Sequence, residues 1–386
     1  MSNTETSKPG TYIPFNRCLP VGREIEYVQQ AMASGILSGD GPFTKKCHQW
    51  FQQKLGVPAA LLTTSCTHAL EMTALLLNIK PGDEVILPAF TFVSTVNAYV
   101  IRGAKPVFAD IRLDTLNLDE RQLESLITPR TKAIVVVHYA GVACEMDTIL
   151  EIANRASVVV IEDNAHGLLG RYKGRYLGTI GAMATQSFHE TKNIACGEGG
   201  ALLLNDERWF ERAEILREKG TDRSRFFRGQ VDKYGWVDVG SSYLPSELLA
   251  AFLLGQLEAH ESIQARRKSI CDAYGRELSD WAKRNGVRLP HVPAHCEQPY
   301  HMFYMLLPNL ERRQAFIAHM KSRGMIAPFH YLPLNTSPMG IQCGGKAGQC
   351  PATEKISDEL VRLPLFNTMT ENETAMVIEA VKQFKC

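Results

Sequence analysis

No apolar run in this 386-residue sequence reaches the roughly 18 residues that a membrane span requires. The opening stretch, MSNTETSKPGTY, lacks the basic segment and apolar core of a secretory leader. Neither sign of charge dominates: 42 Lys and Arg stand against 41 Asp and Glu, a net +1. That balance argues against nucleic acid or an anionic membrane as partner, and any anion must be held by a local site. The ten cysteines, spread from Cys18 to Cys386, contain no C-x-x-C pair. Cys343 and Cys350 match no zinc spacing and bracket a glycine-rich loop, so no metal is expected. Reduced thiols in a cytoplasm are the simplest reading, and a soluble cytoplasmic protein is the expectation. There is no internal repeat or low-complexity tract. The early strands are followed by no G-x-G-x-x-G, which removes a Rossmann dehydrogenase.

What is present is an ordinary globular composition, 45% hydrophobic and 22% charged, long enough for two domains. Between residues 50 and 205, short apolar runs alternate with amphipathic ones, the pattern of an α/β fold with a mainly parallel sheet. The expected strands are DEVILPAF (83–90), AKPVFADI (104–111), KAIVVVHYAG (132–141), SVVVIEDNAHG (157–167), AMATQSFH (182–189) and GALLLND (200–206). CTHALEMTALLLN and EMDTILEIANRA space apolar residues as crossover helices do. Ligands bind beyond the carboxyl ends of such strands, which sends Phe92, His138, Asp163 and Ser187 toward one crevice. After about residue 245 a long helical pattern begins, enough for one long or two shorter helices. Strand-like HMFYMLLP and MIAPFHYLPL and a terminal helix, ETAMVIEAVKQF, follow. A boundary near residue 250 therefore divides a large domain, 1–250, from a smaller C-terminal α+β domain, 251–386. Residues 1–12 read as an arm.

Three features converge on Lys192. TTSCTHALEM places small hydroxyl residues before a helical run, and a helix start offers free N–H groups that can hold a phosphate near Cys66 and Thr67. The same residues suit an ordinary N-cap. VVVIEDNAHG ends a strand in two acids; Asp163 could anchor a ring nitrogen or a metal, or cap the next helix. His166 could donate to a cofactor oxygen or be a satisfied polar residue. Lys192, in SFHETKNIACGEGG, has a surface charge as its ordinary reading. Between an apolar strand and glycines, though, a partly desolvated amine loses its proton more easily and can act as a nucleophile. Phosphate cradle, carboxylate and amine are together what pyridoxal 5'-phosphate requires.

The segments IPFN, SGDGPFTKKC, LTTSCTHALEM, GDEVILPAFTFVSTVNA, VVHYAG, IEDNAHG, SFHETKN, GEGGA, DVGSSYLPSELLAA and HMFY resemble, in order and over roughly residues 12 to 385, the DegT/DnrJ/EryC1/StrS aminotransferases. These are the nucleotide-sugar branch of the fold-type I pyridoxal phosphate enzymes. SFHETKN, FFRGQVDKY and GSSYL are similar to the members that act on a dTDP-4-keto-6-deoxyhexose in enterobacterial common antigen synthesis. The resemblance implies transamination from L-glutamate to such a dTDP-linked sugar, with another nucleotide keto-sugar, aminated at C3 or C4, as the alternative. By the same resemblance, Lys192 is the lysine that condenses with the cofactor aldehyde, and Asp163 pairs with the pyridine nitrogen. His166 lies near the ring hydroxyl, Phe92 stacks on the ring, and Cys66, Thr67 and Ser187 bind the phosphate. A homodimer is implied, with Ser242 reaching across to the partner's site.

Two departures stand out. GSSYL puts Ser242 and Leu244 where many members have an asparagine and an arginine, and PLN puts Asn335 where a substrate-contacting histidine often stands. His330, just upstream, is a possible substitute. A dehydratase of the same fold would carry histidine in place of Lys192. A non-catalytic sensor would need a signalling segment that the sequence does not show.

Overall fold

The computed structural model describes residues 12–385; apart from Tyr12, the expected arm lies outside them. Nine strands are introduced in chain order: β1 (Ala59–Thr63), β2 (Glu84–Pro88), β3 (Lys105–Ala109), β4 (Thr131–Val137), β5 (Val159–Asp163), the short β6 (Arg171–Tyr172) and β7 (Arg175–Tyr176), β8 (Met183–Ser187) and β9 (Gly200–Leu204). Seven form one sheet in the order β1-β9-β8-β5-β4-β2-β3. All neighbours are parallel except β9, which runs antiparallel to both β1 and β8. The six expected strands are therefore present, and β1 is an addition. AALLT looks too short and too close to the hydroxyl cluster to stand out as a strand, and its pairing with β9 is what orders it.

Both faces of the sheet are covered, which is why its strands read as unbroken apolar runs instead of alternating ones. Leu61, Val85, Leu87, Val135, Ile161, Met183, Leu202 and Leu204 face one way, into a core with helices α3 (Cys66–Leu76) and α4 (Val93–Val100). Their neighbours face the other way. Ile86, Ile134, Val136 and Val160 meet helix Met146–Arg155, while Ala60, Leu62, Ala184, Ala201 and Leu203 meet helices α1 (Glu24–Ser34), α2 (Pro42–Leu55) and Glu247–Glu258.

The long helical pattern resolves into two helices, Glu247–Glu258 and His260–Arg284, parted at Ala259. Residue 250 lies inside the first, whose Ala250, Leu253, Leu254 and Leu257 pack with the N-terminal cores. The second helix spans both regions: Ile263 belongs to that same core. Ile270, Tyr274, Leu278 and Trp281 join Phe316, Val361, Val377 and Val381 in a separate C-terminal core. Around that core lie helices Leu310–Ser322 and Glu371–Gln383 and a two-stranded ladder, Tyr304–Leu306 against Leu360–Arg362. MIAPFHYLPL, expected as a strand, is not one. Pro328 and Pro333 remove two ladder donors, and the segment is instead pinned at single points such as Ile326 N–H to the Ile13 carbonyl (3.1 Å). Among the described residues no helix is long and apolar enough to cross a membrane, and no cluster of His, Cys, Asp or Glu could hold a metal.

Candidate active site

The parallel strands end along one edge of the sheet. Since β9 runs the other way, its first residue, Gly200, lies at that edge too. There the chain encloses a cavity of about 740 Å³ whose wall includes Cys66, Thr67, Phe92, Asp163, His166, Ser187 and Lys192. Seven of the expected site residues are thus brought together. Ser242 is exposed, outside this cavity, and bridges to Glu218.

Helix α3 supplies one end. Ser65 caps it by accepting from the His68 N–H at 3.1 Å, and no acidic residue occupies its first turn. The N–H groups of Cys66 and Thr67 have no intrahelical acceptor, so they and the positive end of the helix are open to an anion. The Thr67 and Ser94 hydroxyls, 2.8 Å apart, extend the same polar corner. The helix can start this close to the sheet because of Gly200. A Cβ there would lie 2.3 Å from the Ser65 carbonyl carbon and 2.4 Å from the Cys66 nitrogen.

Asp163 ends β5 and is buried. Thr95 donates to its Oδ2 at 2.7 Å and the Ala165 N–H to its Oδ1 at 3.2 Å. Burial pushes its pKa up; these two bonds and the nearby Lys192 pull against that rise without cancelling it. Beside it, Glu162 points the opposite way. It accepts from His138 at 2.9 Å and from the N–H groups of Gly178, Ile180 and Gly181 at 2.6–2.7 Å. Burial pushes the Glu162 pKa up, but His138 and these amides outweigh it and hold the group below the usual range. His138, expected in the crevice, is therefore a buried partner of Glu162. Strand alternation turns it away from the face that Asp163 occupies.

Lys192 sits in the connection between β8 and β9. The connection is braced by Phe188 N–H to Gly199 O (2.8 Å), Glu190 N–H to Gly197 O (2.8 Å) and Cys196 N–H to Phe188 O (2.9 Å). Burial lowers the Lys192 amine to about 8; Cys66 and Asp163 pull it back up, and Arg362 pushes it further down.

The opposite wall was largely hidden in the sequence. His166 stacks on His301 with centroids 4.4 Å apart and meets the Tyr331 hydroxyl at 3.2 Å, while His330 Nδ1 meets the Tyr139 hydroxyl at 2.8 Å. Burial drives all three histidines well below their ordinary pKa, with neighbouring charges adding to the effect, so this wall is neutral and aromatic. Nδ1 of His166 is buried without a partner. Thr95 and His301 lie within GDEVILPAFTFVSTVNA and HMFY without being marked there as site residues, Tyr331 and Arg362 come from segments with no local signature, and the fold gathers all four. His330 lines the cavity, whereas Asn335 does not. The Asn335 amide donates to the Lys346 carbonyl (3.0 Å) and to Glu354 (2.8 Å), tying down the 343–350 loop.

Comparison with known proteins fits this geometry. The chain is 36% identical over 378 residues to an uncharacterized protein, MJ1066, of Methanocaldococcus jannaschii, covering 96% of each. It is 31% identical over 380 residues to GDP-perosamine synthase of Escherichia coli O157:H7, covering 97% of this chain and 98% of that protein. The solved structure of sugar aminotransferase Spr1654 from Streptococcus pneumoniae, described as putative and in its PMP form, superposes with a TM-score of 0.89 at 27% identity. That match covers 96% of this chain and 97% of the other. Residues 21–382 match the family model, and the chain belongs to the DegT/DnrJ/EryC1/StrS aminotransferase family, pyridoxal phosphate-dependent enzymes of sugar amination.

Proposed function

We propose that this cavity transfers the amino group of L-glutamate to C4 of dTDP-4-dehydro-6-deoxy-D-glucose. The products are 2-oxoglutarate and dTDP-4-amino-4,6-dideoxy-D-galactose. The observation that carries the reading is the meeting of a buried amine near its titration point, a buried carboxylate and an open helix start in one cavity. Pyridoxal phosphate fits these groups, and when bound it supplies an electron sink for the pair left on carbon as a proton departs. The N–H groups at Cys66 and Thr67, with Ser187, hold the phosphate. Asp163, kept in place by Thr95, holds a proton on the ring nitrogen. The unpartnered Nδ1 of His166 serves the ring hydroxyl, and Phe92, 57% exposed in the wall, covers one ring face. Lys192 holds the cofactor between turnovers, then carries the proton to and from the reacting carbon.

The choice of a dTDP-linked sugar rests on the SFHETKN, FFRGQVDKY and GSSYL stretches, and it places the enzyme in polysaccharide antigen synthesis. The likeness to GDP-perosamine synthase supports a GDP-linked 4-keto sugar as the second reading. Incubating the holoenzyme with glutamate and each keto-sugar, and assigning the configuration at C4 of the product by NMR, separates the two. The expected result is the galacto product from the dTDP substrate. Turnover confined to the GDP substrate, or a gluco product, overturns the assignment.

Ser242 acts from the partner subunit of a homodimer in this reading. Its position outside its own chain's cavity is compatible with that, and the exposed Phe227 (69%) and Trp236 (82%) nearby form an apolar surface suited to a second copy. Light scattering is expected to give twice the 43.0 kDa chain mass, and a fully active monomer would refute the arrangement.

A further inference from the structure

The long helix His260–Arg284 carries one buried stripe from the N-terminal core into the C-terminal one, and Arg267 is the charged residue on it. It lies between Ile263 and Ile270, the positions at which the stripe leaves one core and enters the other. The side chain is 1% exposed, and no carboxylate among the described residues pairs with it. Burial lowers its pKa to about 10, so the guanidinium stays charged at neutral pH. Its donors go to neutral oxygens. Nε donates to the Tyr300 carbonyl at 2.8 Å, Nη2 to the carbonyls of His301 at 2.6 Å and Leu365 at 3.5 Å, and Nη1 to Oδ1 of Asn367 at 3.0 Å. A charged donor binds such oxygens more strongly than a neutral one, and the planar fork of arginine reaches several at once.

These acceptors belong to the site. His301 and Leu365 line the cavity, and His301 stacks on His166. Tyr300, just before it, has φ 54°, the left-handed region that a bulky residue seldom enters, and the bond from Arg267 to its carbonyl holds it there. Asn367 passes the contact on: its Nδ2 donates at 3.1 Å to the carbonyl of Asn193, next to Lys192. Asn193 is buried and turns its own amide back to the Pro299 carbonyl at 3.4 Å. The Lys192 connection, the 299–301 segment and the 365–367 segment are thus tied together, with the guanidinium at the centre. We propose that Arg267 is a positioning residue for both walls of the cavity: through Asn367 it fixes the backbone beside Lys192, and through Tyr300 and His301 it fixes the imidazole stacked on His166. The inference rests on the reading of Lys192 as the reacting amine, and adds what sets the place of that amine relative to the opposite wall.

The test compares wild-type holoenzyme with Arg267→Lys, which keeps the charge without the fork, and Asn367→Asp, which keeps an acceptor for Arg267 but cannot donate to Asn193. Amide hydrogen exchange over residues 188–197 is expected to quicken about 10-fold in both, the effect of losing one bond that closes a segment. In Asn367→Asp the melting temperature and the exchange of the α3 amides stay at wild-type values. In both variants kcat should fall roughly 10- to 100-fold, as for a reacting group displaced by up to an ångström, while KM for L-glutamate stays within about threefold. Wild-type exchange and kcat in Asn367→Asp would make Arg267 a prop of the C-terminal core alone and overturn the proposal. Faster exchange at unchanged kcat overturns it too, since the bond would then have no bearing on Lys192. If Arg267→Lys does not fold, Asn367→Asp decides by itself. Full activity in Lys192→Ala would strike the reading of Lys192 instead, and the exchange rates would still report whether Arg267 holds that connection.

Discussion

Lys192→Ala abolishes turnover, with kcat reduced at least about 10⁴-fold, the upper range for one positioned acid–base group, and more because the covalent anchor is lost as well. The visible absorbance of the bound cofactor should shift to that of the free aldehyde. Phosphate binding survives, since the α3 start and Ser187 are untouched. The cause is burial, which brings the amine to about 8, whereas an ordinary lysine titrates near 10.4. Below about 8 the amine is protonated and cannot attack an aldehyde; above it the neutral form dominates. Capture of added cofactor by the apoenzyme, followed by stopped-flow absorbance, should therefore speed up with rising pH and level off above about 8. A rate still climbing at pH 10 would mean that the amine is solvated, and an alanine variant turning over at the wild-type rate would end the mechanism.

Asp163→Asn follows in size, with an expected loss of roughly 10²- to 10⁴-fold in kcat at nearly unchanged fold, as for removal of a group that holds charge or a proton at the reacting centre. Asparagine can still accept from Thr95 but cannot keep a proton on the ring nitrogen. Stability moves the other way. The raised pKa of Asp163 in the apoprotein means that its contribution is present below the unfolded value and is lost as pH rises through the folded one. At neutral pH the apo form of the variant should thus melt at or above the wild-type temperature. A variant as active as wild type would remove Asp163 from the chemistry, and a lower melting temperature would show that its bonds to Thr95 and Ala165 outweigh its burial.

The sheet was readable because both of its faces are covered: VILP, IVVV and VVIE need no partner to be recognised as buried strands. β1 was not, because AALLT takes its identity from β9, about 140 residues later in the chain. The site divides in the same way. Cys66, Thr67, Asp163 and Ser187 lie at strand ends or a helix start, positions that local pattern fixes, and Lys192 lies in the connection between two of those strands. Tyr331 and Arg362 reach the cavity from a proline-broken segment and a short C-terminal ladder, with nothing in their own neighbourhoods to mark them, and His301 comes from just ahead of that ladder, in HMFY. His138 misled for a different reason: Val137 is the register partner of Asp163, so alternation turns the next side chain to the other face of the sheet.

The brace across the β8–β9 connection has a further consequence for motion. With Phe188, Glu190 and Cys196 each bonded across to the far side of the connection or back onto it, the backbone under Lys192 has no hinge. The amine must travel between its two duties by rotation about the bonds of its own side chain, a movement of picoseconds to nanoseconds in unhindered groups. Any repositioning of the amine then needs no opening of the backbone beneath it.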